Sequence, residues 1–132
     1  GRMCARFPQT PVIIDHVGGI RLRQGKVDPH ELAALCDLAQ YPRVMVKLGP
    51  VHGLGDDTYP FYGARALLRP IVRAFGAQRC MWESDSGGPI WMGDPARDYA
   101  ATVAVVADDE YYDETDKALI LGGTAAGFFF SR

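Results

Sequence analysis

An α/β fold with a parallel sheet is what this 132-residue sequence predicts, and three observations predict it. Strand-like apolar runs alternate with stretches of helical periodicity in the order strand, helix, strand, helix, strand, helix, helix. The first run, Val12-Ile13-Ile14, is continuous and β-branched, the pattern of a strand covered on both faces. The connections are also asymmetric. Those from helix to strand are very short (Pro42-Arg43, then Gly76 to Gln78), whereas those from strand to helix are long, polar and glycine-rich. In parallel α/β proteins the long loops at the C-terminal strand ends build the site.

Taken in order, an irregular lead ends in Phe7-Pro8-Gln9-Thr10-Pro11, and Val12–Ile14 delivers Asp15 and His16 at its end. Val17 to Val27 is a polar loop with Gly18, Gly19 and Gly25. Asp28-Pro29-His30-Glu31 then supplies an N-cap aspartate, proline at the first helical position and a glutamate three residues after the cap, so a helix starts there. Leu32, Leu35, Cys36, Leu38 and Ala39 carry it to Tyr41, and Pro42 stops it. Val44 to Leu48 is the second strand. After the loop from Gly49 to Tyr59, the stripe Phe61, Ala64, Leu67, Leu68, Ile71, Val72 and Phe75 predicts a helix that Pro70 kinks or divides and Gly76 ends. Cys80-Met81-Trp82 opens the third strand, which Gly87, Gly88 and Pro89 break, leaving Asp85 at its C-terminal lip. Asp94-Pro95 repeats the cap-plus-proline device before an apolar helix over Tyr99 to Ala107, expected to pack on more than one side. Asp113 to Leu121 reads as a short helix ended by Gly122-Gly123, and Thr124 to Phe130 as a last one with Phe128-Phe129-Phe130 as a plug.

Composition narrows the function. A hydrophobic content of 48% suffices for a buried core, and a net charge of -2 with mixed signs gives no electrostatic case for nucleic acid or a membrane surface. Cys4, Cys36 and Cys80 are odd in number and widely spaced, which argues for free thiols in a reducing compartment rather than a disulfide framework. No apolar run approaches the roughly 18 residues of a membrane span. The N-terminus lacks the apolar core of a signal peptide, and a cytoplasmic protein is expected.

Four stretches, Val12 to Gly19, Arg43 to Gly49, Phe75 to Asp85 and Ile120 to Phe129, resemble in that order the C-terminal half of the amidohydrolase-related (amidohydrolase 2) family of TIM-barrel hydrolases, lactonases and decarboxylases. The resemblance covers nearly the whole chain. It implies that the three strands are the sixth to eighth of a (β/α)₈ barrel, and that residues 1–132 form one partial barrel domain, since a whole barrel needs ~200 residues or more. It also implies that His16 matches the histidine ending the sixth strand and Asp85 the signature aspartate ending the eighth. In metal-dependent members this aspartate binds or adjoins the metal and takes a proton from the attacking water; some lactonase members are thought to work without metal. One zinc-like divalent ion held by His16 and Asp85 with ligands from elsewhere, or metal-independent action, are thus both expectations. Two departures stand out. Glu83 replaces the glycine of the usual Trp-Gly-Ser-Asp, with Ser86-Gly87-Gly88 before Pro89, and Thr124 replaces the usual asparagine.

The expected reaction is hydrolysis of an ester, lactone or amide of a small organic acid, with Asp85 as general base and His16 orienting or polarising the carbonyl. Arg21 and Arg23 are candidates for a substrate carboxylate, as bidentate donors, against a solvated loop. His52 lies on the same rim, although a lone loop histidine is more often a surface residue. Strand alternation puts Glu83 and Met81 on the face of Asp85, with Trp82 and Cys80 under the helices. It also turns Lys47 inward, so that Lys47 and Glu83 are expected to pair beneath the site; the alternative sends Lys47 to the solvent at the rim. Gly53-Leu54-Gly55-Asp56-Asp57 is a weak phosphate-loop lookalike. The rival functions are a decarboxylase of the same family, a non-catalytic half-barrel that binds a partner, and a signalling receiver, against which Lys47 preceding Asp85 argues. A half-barrel has unpaired sheet edges, so the missing N-terminal half or self-association is expected to cover them.

Overall fold

The computed structural model describes residues 1–55, 59–85 and 99–131. Asp56-Asp57, Ser86 to Pro89 and the Asp94-Pro95 cap lie outside these. Three strands, β1 (Val12–Ile14), β2 (Val44–Lys47) and β3 (Cys80–Met81), form a parallel sheet in the order β1-β2-β3. Between them run α2 (Pro29–Cys36), extended by a 3-10 turn over Asp37–Gln40, and α3 (Tyr62–Phe75). This is the expected parallel array of strand-helix units.

Local chemistry explains the elements. Asp28 accepts hydrogen bonds from the backbone N–H groups of His30 and Glu31, so α2 begins as its capping sequence dictates. The short helix-to-strand connections are tied at one point: the Arg79 guanidinium donates to the carbonyls of Ala39 and Tyr41, both at 3.0 Å. The core lies on one side of the sheet. Val44, Val46 and Leu48 are buried in a single cluster with Ala64, Leu67, Leu68, Ile71, Val72 and Phe75 of α3. Truncating Leu67 or Leu68 to alanine would cost about 2–5 kcal/mol through lost transfer energy and the cavity left behind. Met45 and Lys47 alternate to the other face and are only half-buried.

Several expectations are corrected. The lead is not wholly irregular, since Arg2–Arg6 forms a short helix, α1, none of whose residues is buried. Strand β1 is half-buried along its length rather than covered on both faces, and among the described residues it pairs only with β2. Pro70 does not divide α3, which is one helix through it: a proline removes one N–H bond, and the six buried side chains on either side of it hold the helix to the core. The glycines 122 and 123 do mark a helix break, as expected: Gly122 has φ of 177° and ψ of -33°, outside the helical region. After α5 (Glu114–Ala118), capped by Asp113, the chain widens into a π turn over Leu119–Gly123, kinks at Gly122 and begins α6 (Thr124–Phe130). The wider turn frees the Ile120 carbonyl to accept the backbone N–H of Trp82 at 2.8 Å, which anchors the chain just beyond β3. The phenylalanines form no plug, for Phe129 and Phe130 are 55% and 82% exposed. In α6 the buried residue is Thr124, and Phe128, four residues on, shares its face while the next two turn away. Helix α4 (Tyr99–Ala107) buries Thr102, Val105 and Val106 and leaves Tyr99 exposed, so its packing is mainly one-sided.

Candidate active site

Register places the site. Val12, Ile13 and Ile14 pair with Val44, Met45 and Val46, and Lys47 pairs with Met81. The next residue of β1 after Ile14 is Asp15, and the next of β2 after Val46 is Lys47, so the first carboxylate and the lysine meet across the same sheet end. Glu83, two residues past Met81, points to the same face. The Lys47 ammonium accordingly bridges two carboxylates, at 2.8 Å from Asp15 Oδ1 and 3.1 Å from Glu83 Oε2. The expected Lys47–Glu83 pair is present, and Lys47 does not stand alone at the rim. Asp15 is the member that reasoning from sequence missed; carrying the strand register one residue beyond β1 would have found it.

His16 completes the cluster. Glu83 Oε1 lies 2.6 Å from His16 Nδ1 and accepts the His16 backbone N–H at 3.1 Å. The remaining ring nitrogen, Nε2, is 3.8 Å from Asp15 Oδ2. Each shift in proton affinity has a visible cause. The hydrogen bond to Glu83 raises the pKa of His16 above the usual histidine value, against partial burial, with the charges of Glu83, Asp15 and Asp85 assisting. Lys47 is raised chiefly by its hydrogen bond to Asp15, and Asp15 is lowered chiefly by Lys47.

The strand ends bend sharply. His16 and Val17 have φ of 49° and 46°, and Asp85 has φ of 52°. Left-handed backbone at a β-branched residue is costly and persists only where the surroundings over-determine it; Val17 is fully buried in the core. These bends lie beyond the ends of β1 and β3, where His16 and Asp85 reach the lip. There His16, Arg21 and Asp85 line one cleft of about 220 Å³ with Gly19, Ile20, Pro50, Gly53 and Leu54. Arg23 is placed elsewhere, in a tight turn whose backbone bridges to Lys26, and it does not line the cleft. His52 is not a surface residue: it is 5% exposed, buried in the 3-10 turn Val51–Gly53, and it does not line the cleft either. Its neighbours Val51 and Leu54 belong to the core, which draws the ring inward with them.

Among the described residues, Asp15, His16 and Glu83 offer donor atoms within 4.8 Å of one another, a spacing that could hold a metal ion. The donors are already engaged, however. Both carboxylates face the Lys47 ammonium, and His16 Nδ1 is turned to Glu83. A divalent cation there would have to displace a lysine whose charge the two carboxylates already balance, so this group does not fit a metal as it stands.

A larger apolar cleft of about 390 Å³ lies between the end of β1 and α2, lined by Ile14, Val17, Ile20, Leu35 and Leu38 among others. It carries no convergent polar chemistry. No helix among the described residues is long and apolar enough to cross a membrane.

The comparisons with known proteins agree with this architecture. No curated protein matches the chain. Among solved structures, an amidohydrolase from Burkholderia multivorans with bound HEPES superposes with a TM-score of 0.75 at 26% identity, over 95% of this chain and 46% of that one. The same description with bound zinc gives 0.75 and 26%, over 95% of this chain and 45% of that chain. An apo structure from Agrobacterium tumefaciens shares the fold, with a TM-score of 0.67 at 19% identity over 100% of this chain and 48% of that one. The chain thus spans about half the length of the solved structures it matches, and its three-stranded parallel sheet with helices corresponds to part of their fold. A family model described as amidohydrolase matches residues 1–130, and the chain belongs to the amidohydrolase family.

Proposed function

We propose that the complete barrel hydrolyses an ester, lactone or amide bond of a small organic acid, with Asp85 as general base and His16 beside it. The observation that carries this reading is the shared cleft: His16, Arg21 and Asp85, which come from two different strand ends and a loop, line one opening at the C-terminal lip of the sheet. Water bound there gives a proton to the Asp85 carboxylate as its oxygen bonds to the substrate carbonyl carbon. The C–O or C–N bond then breaks, and the proton passes to the departing oxygen or nitrogen. His16 Nε2 orients the water or the carbonyl, and Arg21 offers a forked pair of N–H donors to the carboxylate of the acid.

The Burkholderia relative holds zinc in one structure. In this chain the Lys47 ammonium sits where the clustered carboxylates would receive such an ion, which favours water activation by side chains alone. In the full-length protein, Asp85→Asn should lower kcat on ester and lactone probes such as p-nitrophenyl acetate and glucono-δ-lactone by about 10²–10⁴-fold while the circular dichroism spectrum is unchanged. An Asp85→Asn protein that turns over at the wild-type rate would remove Asp85 from the mechanism.

A further inference from the structure

The proposed reaction uses His16 and Asp85 and leaves Glu83 without a role, yet Glu83 is the residue most tightly built into the site. Its side chain is 13% exposed and takes three donors: the His16 ring Nδ1 at 2.6 Å, the His16 backbone N–H at 3.1 Å and the Lys47 ammonium at 3.1 Å. A niche is cut for it in the neighbouring strand end. A Cβ on Gly49 would lie 2.8 Å from Glu83 Cγ and would meet the Glu83 carbonyl oxygen closer still, so only glycine lets the glutamate stem pass there.

We propose that Glu83 is a positioning residue that grips His16 by its ring and its main chain together, fixing the imidazole so that Nε2 is the nitrogen presented to the cleft. Use of that nitrogen in turnover rests on the hydrolase reading above; the grip itself does not. A carboxylate can only accept, so the proton of a neutral His16 sits on Nδ1 and the lone pair on Nε2. His16 then meets water or substrate as a proton acceptor. The second bond, to the backbone N–H, does separate work: it pins the left-handed turn at His16-Val17, so the ring cannot swing away with its main chain. Lys47 saturates the other Glu83 oxygen and keeps the carboxylate from rotating to serve the cleft itself. The arrangement follows the logic of a carboxylate behind a histidine, in which the acid sets the tautomer without touching substrate.

The test is made on the full-length protein labelled with ¹⁵N. Long-range ¹H–¹⁵N spectra of the neutral imidazole, assigned by loss of the signal in His16→Asn, should show Nδ1 protonated and Nε2 bare in the wild type. In Glu83→Gln the single amide oxygen is drawn to the Lys47 ammonium, which leaves the amide NH2 donor facing His16 Nδ1, so the tautomer should shift or become mixed. In Lys47→Met, which keeps the Glu83 carboxylate, it should persist. A wild type protonated on Nε2 overturns the proposal, and that measurement needs no variant to fold. A folded Glu83→Gln with the wild-type tautomer overturns it as well. With glucono-δ-lactone as probe, Glu83→Gln should lower kcat about 10–100-fold with KM within about twofold. A wild type that shows the tautomer but hydrolyses no probe would sink the hydrolase reading and leave the positioning role standing. An active wild type whose Glu83→Gln variant keeps both kcat and tautomer would do the reverse.

Discussion

Replacing Gly49 by alanine perturbs the site through one methyl group. Gly49 follows Leu48 at the end of β2, and a Cβ built there meets the Glu83 carbonyl oxygen well inside any tolerable contact, with Cγ of Glu83 at 2.8 Å and its carbonyl carbon at 3.2 Å. Two of those three atoms are backbone, so no rotamer change relieves them. Reaching ordinary van der Waals separation requires Glu83 and β2 to part by roughly 1 Å, and overpacking of this kind costs about 1–3 kcal/mol. For a barrel-sized domain that loss lowers Tm by roughly 2–12 °C. The larger effect should be on activity. A displacement of roughly 1 Å at Glu83 breaks the short contact to His16 Nδ1, and misplacement of that size in catalytic groups can cost about 10²-fold in rate. Thermal denaturation and steady-state kinetics on the full-length protein read the two effects separately. A Gly49→Ala protein with wild-type Tm and wild-type kcat would show that the close approach of these strand ends is not needed, and would refute the reasoning.

Three further outcomes follow from other contacts. Asp109 is 1% exposed, and burial works against its charge, but the Arg69 fork at 2.8 and 3.1 Å and the Tyr111 N–H overcome this and hold its pKa below the ordinary carboxylate value. A depressed folded pKa gives stability that is present above the unfolded value near ~3.9 and is lost as pH falls through the folded one. The urea midpoint of the wild type should therefore hold down to about pH 4, while Arg69→Met, which removes the largest group opposing burial, should be less stable than wild type above about pH 4, the gap closing as acid protonates Asp109; superimposable profiles would contradict the assignment. Thr124→Val removes the buried hydroxyl that donates to the Ala77 carbonyl at 2.9 Å, and should cost about 1–2 kcal/mol in chemical denaturation. Exhaustive dialysis against EDTA should leave turnover within about twofold, because Lys47 supplies the positive charge between Asp15 and Glu83; loss of turnover restored by zinc would refute the metal-free reading.

Much of the fold is legible in the chain because it is written locally. The β-branched run Val12–Ile14, the Asp28-Pro29 cap and the stripe from Ala64 to Phe75 each specify their element through nearest-neighbour chemistry, and the structure has all three. Alternation alone placed Lys47 and Glu83 on one face, because the strand period of two leaves no other choice once Val44, Val46 and Leu48 are buried. Where the outcome depended on residues distant in sequence, local reading failed. Gly122-Gly123 marks the break that the structure has at Gly122, but the π turn leading to it, whose Ile120 carbonyl accepts from Trp82 some forty residues earlier, is not written in the local sequence. His52 resembles a surface histidine until Val51 and Leu54 carry it into the core.

The site divides in the same way. Sequence by itself determined that His16, Lys47, Glu83 and Asp85 cluster at the C-terminal ends of parallel strands, since chain direction and strand ends follow from pattern. Only the tertiary structure decided their partners. Which oxygen of Glu83 takes His16 and which takes Lys47, that Asp15 joins them, and that Arg21 rather than Arg23 reaches the cleft are matters of ångströms set by register and loop course. Hydrogen bonds lose most of their strength within about an ångström of misplacement, and partner choice turns on distances of that size, so no pattern of residue types can fix them.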